Sequence, residues 1–328
     1  MLINGVWKDN WQPIQGKDEE GRFVRQSASF RNWITPGGEP GITGQGGFKA
    51  EADRYQLIVA YICPWASRTL MARQLKNLSH LVDVTVVNPK LSDQGWKFGG
   101  YPGAGGQVFN DYEYVHQLYS YADNDYTGRA TVPILWDKQQ QTIVNNESAD
   151  IVRMFDSAFE DIAPTSTRLC PQELAQEIDQ LNELLYDKLN NGVYKAGFAS
   201  TQMAYEEAYQ GVFECLDSIE QRLSDGRAYL FGDIFTESDI RLFVTLIRFD
   251  PAYHGLFKCN RNCLREMPFL WSYTQRILAM EGIKDTVNIE HIKAGYYSIK
   301  ALNPSGIVPL GPSRQLKNYL RCHSFVKN

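Results

Sequence analysis

The chain has 328 residues, 43% hydrophobic and 22% charged, with a net charge of −5. This profile fits a globular protein of about two domains and gives no reason to expect nucleic-acid or anionic-membrane binding. No basic segment followed by an apolar stretch opens the sequence, and runs such as L-I-V-A-Y-I-C are far too short to cross a bilayer. Six cysteines in so long a chain make no disulfide framework, which points to a reducing cytoplasm.

Residues 1–53 are rich in Gly, Pro, Trp and charge, and read as an irregular extension wrapped on the surface. Within it, P-G-G-E-P-G-I-T-G-Q-G-G lacks the following Gly-Lys-Ser/Thr and the preceding strand of a phosphate loop, so it reads as a connector. Y-Q-L-I-V-A-Y (55–61) predicts a buried strand, Pro64 to Leu78 a helix, and L-V-D-V-T-V-V (81–87) a second strand parallel to the first. A Gly- and aromatic-rich insertion (89–110) precedes a helix expected over 111–122. T-V-P-I-L-W-D (131–137) and T-I-V-N-N (142–146) read as a hairpin, and E-S-A-D-I-V-R-M-F (147–155) opens another helix. From about residue 171 the pattern is helical, with Leu174, Ile178, Leu181 and Leu185 in phase and a capping-box signature at Thr236 and Asp239.

This order resembles a thioredoxin-type domain followed by a helical bundle, the architecture of the glutathione transferases. The expected fold is therefore α/β plus all-α: an extension over 1–53, a thioredoxin-like glutathione-binding domain over 54–165, and a helical substrate domain over 171–328 with an extended tail.

Y-I-C-P-W-A (61–66) ends the first strand with a cysteine directly before a proline. A helix beginning at Pro64 makes Cys63 its N-cap, and proline suits the first helical position. The free N–H groups and the helix dipole then favour the thiolate, so a lowered thiol pKa is expected. Arg68, one turn on, is a further candidate source of positive charge. Ala66 stands where a dithiol motif has its second cysteine, so an external thiol must complete a turnover, and glutathione is the abundant one. The rest of a tripeptide site can be read nearby. Val132, before a proline that is typically cis in such folds (Pro133), offers its backbone to the cysteinyl unit. Glu147 and Ser148, at a helix start, suit the γ-glutamyl ammonium and carboxylate. Arg129 and Trp96 are candidates to hold the glycine carboxylate and cover the peptide.

Several segments resemble one narrower family, the glutathionyl-hydroquinone reductases or Xi-class glutathione transferases: S-A-S-F-R-N-W (27–33), D-R-Y (53–55), C-P-W-A (63–66), N-P (88–89), Y-T-G-R-A-T-V-P-I-L-W-D (126–137), N-N-G-V-Y-K-A-G-F-A (190–199), R-F-D-P-A-Y (248–253), F-K-C-N (257–260) and N-P-S-G-I-V-P-L-G-P (303–312). The resemblance implies glutathione-dependent reduction of glutathionyl-hydroquinones through a Cys63–glutathione mixed disulfide. It also implies substrate-pocket roles for Tyr194, Tyr253 and Tyr296 in proton transfer, and a homodimer. The chain departs from the family pattern at Ser67 and at A-Y-H-G-L (252–256). An omega-like thioltransferase or dehydroascorbate reductase, and a non-catalytic glutathione-binding module, are the alternative readings. His254, Cys259 and Cys263 lack the paired spacing of a structural zinc site, and no dinucleotide fingerprint is present.

Overall fold

The computed structural model describes residues 1–8, 16–106 and 108–311. Cys322 and the rest of the tail beyond 311 lie outside them. The chain opens on a small antiparallel hairpin, β1 (Leu2–Ile3) and β2 (Val6–Trp7), paired Leu2 to Trp7 and Ile3 to Val6. Asn4 and Gly5 both take positive φ, 47° and 70°, as a two-residue Asn-Gly hairpin turn requires. The extension is thus more than an irregular surface wrap. Leu2, Phe23, Trp33, Ile34 and Phe48 are buried in the main core. The Gly-rich piece closes on itself, Gly47 N–H donating to Gly38 O at 2.7 Å.

The central sheet has four strands: β3 (Tyr55–Val59), β4 (Val82–Val86), β5 (Ile134–Asp137) and β6 (Thr142–Asn145), in the spatial order β4-β3-β5-β6. β3 pairs parallel with β4 and antiparallel with β5. The crossover between the parallel strands is α1 (Pro64–Leu75). β3 ends at Val59, two residues before the expected end, because Ala60 to Ile62 turn and Cys63 N–H closes on Ala60 O at 2.9 Å. α2 (Val115–Ala122) starts four residues later than expected. The preceding residues are drawn into a bridge with Lys97, and Phe98 N–H donates to Glu113 O at 2.8 Å. α3 (Ser148–Ser157) begins after Glu147, which caps it by accepting from Ala149 N–H.

The second half is helical: α4 (Ala175–Leu184), α5 (Gly192–Gly197), α6 (Gln202–Leu223), α7 (Glu237–Arg248), α8 (Pro268–Leu278) and α9 (Ile289–Tyr296). The capping box of α7 forms, with Thr236 N–H donating to Asp239 Oδ2 at 2.8 Å. Two π-helical turns interrupt this half, Leu185–Asn190 before α5 and Phe249–Tyr253 after α7. Such turns favour functional sites. α1 packs against α3 on one side and α7 on another. Pro64 and Ala66 through Ala72 are all buried, so α1 meets solvent only in part, at Trp65 and along its last turn. Its polar side chains find partners inside: Thr69 Oγ1 donates to Ala66 O at 2.7 Å and Arg68 Nη2 to Asn190 Oδ1 at 2.7 Å. Among the described residues no helix is long and apolar enough to cross a membrane.

Candidate active site

Cys63 is the N-cap of α1, with extended backbone (φ −77°, ψ 115°) and Pro64 next in the helix. Its half-buried sulfur donates to the Val132 carbonyl at 3.4 Å. The expected lowering of the thiol pKa is not what the surroundings produce. Burial raises it, and this outweighs the opposing Ala66 N–H, the charges of Arg248 and Arg25, and the Trp65 N–H. Desolvation penalises an anion more than one helix end and two guanidiniums restore. The resting group is a thiol, as its bond to Val132 O requires. We expect the rate of Cys63 alkylation to rise with pH and reach half its maximum above the ~8.5 of an exposed thiol. A midpoint below neutrality, followed by mass spectrometry of the Cys63 peptide, would contradict this.

Arg68 does not supply charge to the sulfur. It turns to Asn190, and burial pulls its own pKa down to about 9. The larger share of charge, ahead of that from Arg25, comes from Arg248, at the end of α7. Buried itself, it donates to Ile62 O at 3.0 Å, to Tyr61 O at 2.6 Å and to Ser67 Oγ at 2.6 Å. Ser67 thereby accepts from the guanidinium that braces the turn carrying Cys63.

Cys63 opens onto a cavity of about 340 Å³. Trp96, Arg129, Val132, Pro133, Glu147, Ser148, Tyr194 and Tyr296 also line it, from both halves of the chain. The Val132–Pro133 bond is cis. The loop is held from behind by buried Tyr119, whose hydroxyl donates to Thr131 O at 2.9 Å and accepts from Asn146 Nδ2 at 3.0 Å. Ser148 Oγ donates to Glu147 Oε1 at 3.4 Å. Arg31 pairs with Asp150 beside them. Burial, with Arg25 adding repulsion, pulls Arg129 down to about 10.

The tyrosines meet at one point. Tyr296 OH lies 2.5 Å from Tyr194 OH and 2.8 Å from Tyr253 OH. Burial raises all three phenol pKa values, so each remains protonated at neutral pH. Tyr253 does not line the cavity. It is fully buried behind Tyr296 and reaches the site through that hydroxyl. α9 can come this close because of Gly295: a Cβ there would stand 2.6 Å from both Pro89 O and Ile62 Cδ1.

Sequence reasoning did not single out Phe23, Trp65 and Phe198, an aromatic wall beside Cys63, or Arg25, which stacks on it. Trp65 and Tyr194 ring centroids are 5.1 Å apart, and Phe23 and Phe198 stack at 6.0 Å. The one available signal was the F-V-R triplet, a cation spaced two residues from an aromatic in an otherwise polar stretch.

A four-stranded sheet with a cysteine-led helix, a cis-proline loop and a helical half is the construction of a glutathione transferase. The N-terminal domain of glutathione S-transferases matches residues 62–158 and the C-terminal domain residues 202–276. The chain is 48% identical to the glutathionyl-hydroquinone reductase YqjG of Escherichia coli K12, over 96% of each chain. It is 43% identical to the glutathionyl-hydroquinone reductase PcpF of Sphingobium chlorophenolicum, over 96% of this chain and 97% of that one. The glutathione-bound structure of YqjG superposes with a TM-score of 0.87 at 46% identity, covering 95% of both chains. The Xi transferase of Phanerochaete chrysosporium gives 0.84 at 47% identity, covering 89% of this chain and 98% of that one. The chain belongs to the Xi-class glutathione transferases, the family of the glutathionyl-hydroquinone reductases.

Proposed function

We propose that this protein reduces glutathionyl-hydroquinones to hydroquinones, using glutathione as co-substrate. The observation that carries the reading is the placement of one cysteine, without a second within the C-P-W-A turn, between a polar end fit for a tripeptide and an aromatic end fit for a ring. The names of the two relatives above support it. Glu147 and Ser148 receive the γ-glutamyl end, Val132 the cysteinyl backbone, and Arg129 and Trp96 the glycine end. The four-stranded sheet and its helices α1 to α3, all within 55–157, form the glutathione-binding domain (54–165). The helices from 171 onward supply the substrate side.

The Cys63 thiolate attacks the sulfur that joins glutathione to the ring. The sulfur–carbon bond breaks, its electron pair passes to the ring, and a proton is delivered to the ring carbon. Hydroquinone leaves, and Cys63 holds glutathione as a mixed disulfide. A second glutathione thiolate attacks that disulfide, releasing glutathione disulfide and restoring Cys63. The ring is reduced and two glutathiones are oxidised. An aryl carbanion is a poor leaving group, so the neutral phenols act as proton donors, with Tyr296 between Tyr194 and Tyr253.

The test is incubation with glutathionyl-hydroquinone and excess glutathione. Equal amounts of hydroquinone and glutathione disulfide are expected, with a one-glutathione adduct on the intact protein. Turnover of small mixed disulfides alone would favour a thioltransferase instead. For Tyr296→Phe we expect hydroquinone release to slow about a hundredfold, while exchange with a small disulfide is kept. Equal slowing of both would remove Tyr296 from the proton path. The reading includes a homodimer, which sedimentation would check. A reducing cytoplasm fits a chain whose Cys63, Cys170, Cys215, Cys259 and Cys263 are all free thiols.

A further inference from the structure

Arg25 is a cation for which neither the fold nor the tripeptide end of the cavity has evident use. It enters from the N-terminal extension, between Phe23 and the polar residues that follow, and lines the cavity on the Cys63 side. Its guanidinium carbon lies 3.7 Å from the Trp65 ring centroid, 5.3 Å from Phe23 and 5.4 Å from Tyr194. Its Nε–H donates to Asn191 Oδ1 at 2.8 Å, a neutral acceptor. Among the described residues no carboxylate forms an ion pair with it, whereas Arg31, six residues on, is paired with Asp150. A guanidinium stacked on aromatic faces and pinned at one nitrogen keeps its remaining donors oriented for an incoming acceptor. Its charge is felt at Cys63, at the Tyr194 hydroxyl and at Arg129, and its seat on the Trp65 and Tyr194 rings is what sets it on the aromatic side of Cys63.

We propose that Arg25 is the anion-holding residue of the aryl subsite, and that this protein selects glutathionyl-hydroquinones whose ring bears a carboxylate. The proposal rests on the reductase reading given above. A carboxylate on the ring meets a forked donor held against an aromatic face, and a charge-assisted pair is stronger than a neutral hydrogen bond. An aromatic wall alone would accept any flat ring of the right size, so the cation adds the discrimination.

The experiment compares kcat/KM for S-glutathionyl-hydroquinone and S-glutathionyl-2,5-dihydroxybenzoate in the full-length wild type, R25M and R25K. One charge-assisted bond corresponds to about 10- to 100-fold. The wild type is expected to favour the carboxylated substrate by at least about tenfold, R25M to lose the preference, and R25K to keep part of it. A wild type without preference, or an R25M that keeps it, overturns the proposal. So does an R25M whose main defect is a raised KM for glutathione, because Arg25 would then serve the tripeptide. If the wild type turns over neither substrate, the reductase reading fails. Arg25 is then read by protection of Cys63 from alkylation. 2,5-Dihydroxybenzoate should protect wild type better than hydroquinone does, and R25M equally poorly with both. Any other ranking overturns the assignment. Should R25M fail to fold, R25Q, which keeps a donor toward Asn191, carries the same comparisons.

Discussion

Cys63→Ser is expected to lower hydroquinone release by at least about a thousandfold while leaving the protein as stable as wild type or slightly more so. The two halves of this result have separate causes. A hydroxyl cannot form the mixed disulfide, so the covalent route is closed. Serine is a good N-cap, and position 63 already has the extended backbone that an N-cap needs. A gain of about 0.5 kcal/mol is within the range of such substitutions. Product chromatography and a urea melt on the same preparation give both numbers. Residual turnover within tenfold of wild type would mean that another thiol does the chemistry, and Cys263, half-exposed with its sulfur 3.6 Å from His254 Nε2, would be the first to examine.

The second large effect is expected from Arg248→Met. Methionine keeps most of the volume but removes the donors to Tyr61 O, Ile62 O and Ser67 Oγ. Each bond to a charged donor contributes roughly 1.5–3 kcal/mol, and the buried acceptors left behind have no water to replace it. A loss of about 3 kcal/mol or more is therefore expected in urea unfolding. The same change removes a positive charge from Cys63, so the alkylation midpoint should move to still higher pH. Ser67→Ala should show a smaller loss with the midpoint nearly unmoved, because the guanidinium stays. If Arg248→Met destabilises the protein without shifting the midpoint, the arginine is a brace for the turn and nothing more.

The strand–helix–strand unit and Cys63 at its corner were legible because their signals are local: an apolar run, a proline at the first helical position, a second apolar run. The Val132–Pro133 loop and the start of α3 at Glu147 and Ser148 were legible for the same reason, since T-V-P and E-S announce a loop and a helix start. The Asn4-Gly5 turn was written in the sequence too, but its strands are two residues each, too short to show alternation. Long-range contacts were not legible. Arg248 meets Tyr61 and Ile62 across more than 180 positions, and nothing in R-F-D-P says which way its side chain points. Arg25 and Trp65 become neighbours only when the extension folds back over α1. The direction of the Cys63 shift was misread because it depends on how far the sulfur is shielded from water, which a helix start alone does not determine. Tyr253 carries the right residue type in the right motif yet sits one layer behind the surface it was expected to form.

The two π-helical turns bear on how this chain can change over time. Each accommodates about one more residue than a regular turn would, and so takes up an extra residue within the helix that carries it. The first ends at Asn190, which holds Arg68, directly before Asn191, which holds Arg25. The second ends at Tyr253, which holds Tyr296. Deleting one residue from either would restore regular winding with the flanking helix nearly in phase, but the residues of the turn itself, Asn190 and Tyr253 among them, would face a new direction. A residue gained or lost in the regular part of either helix would turn everything after it by about 100°, so variation in length is expected to gather in the connections between the helices.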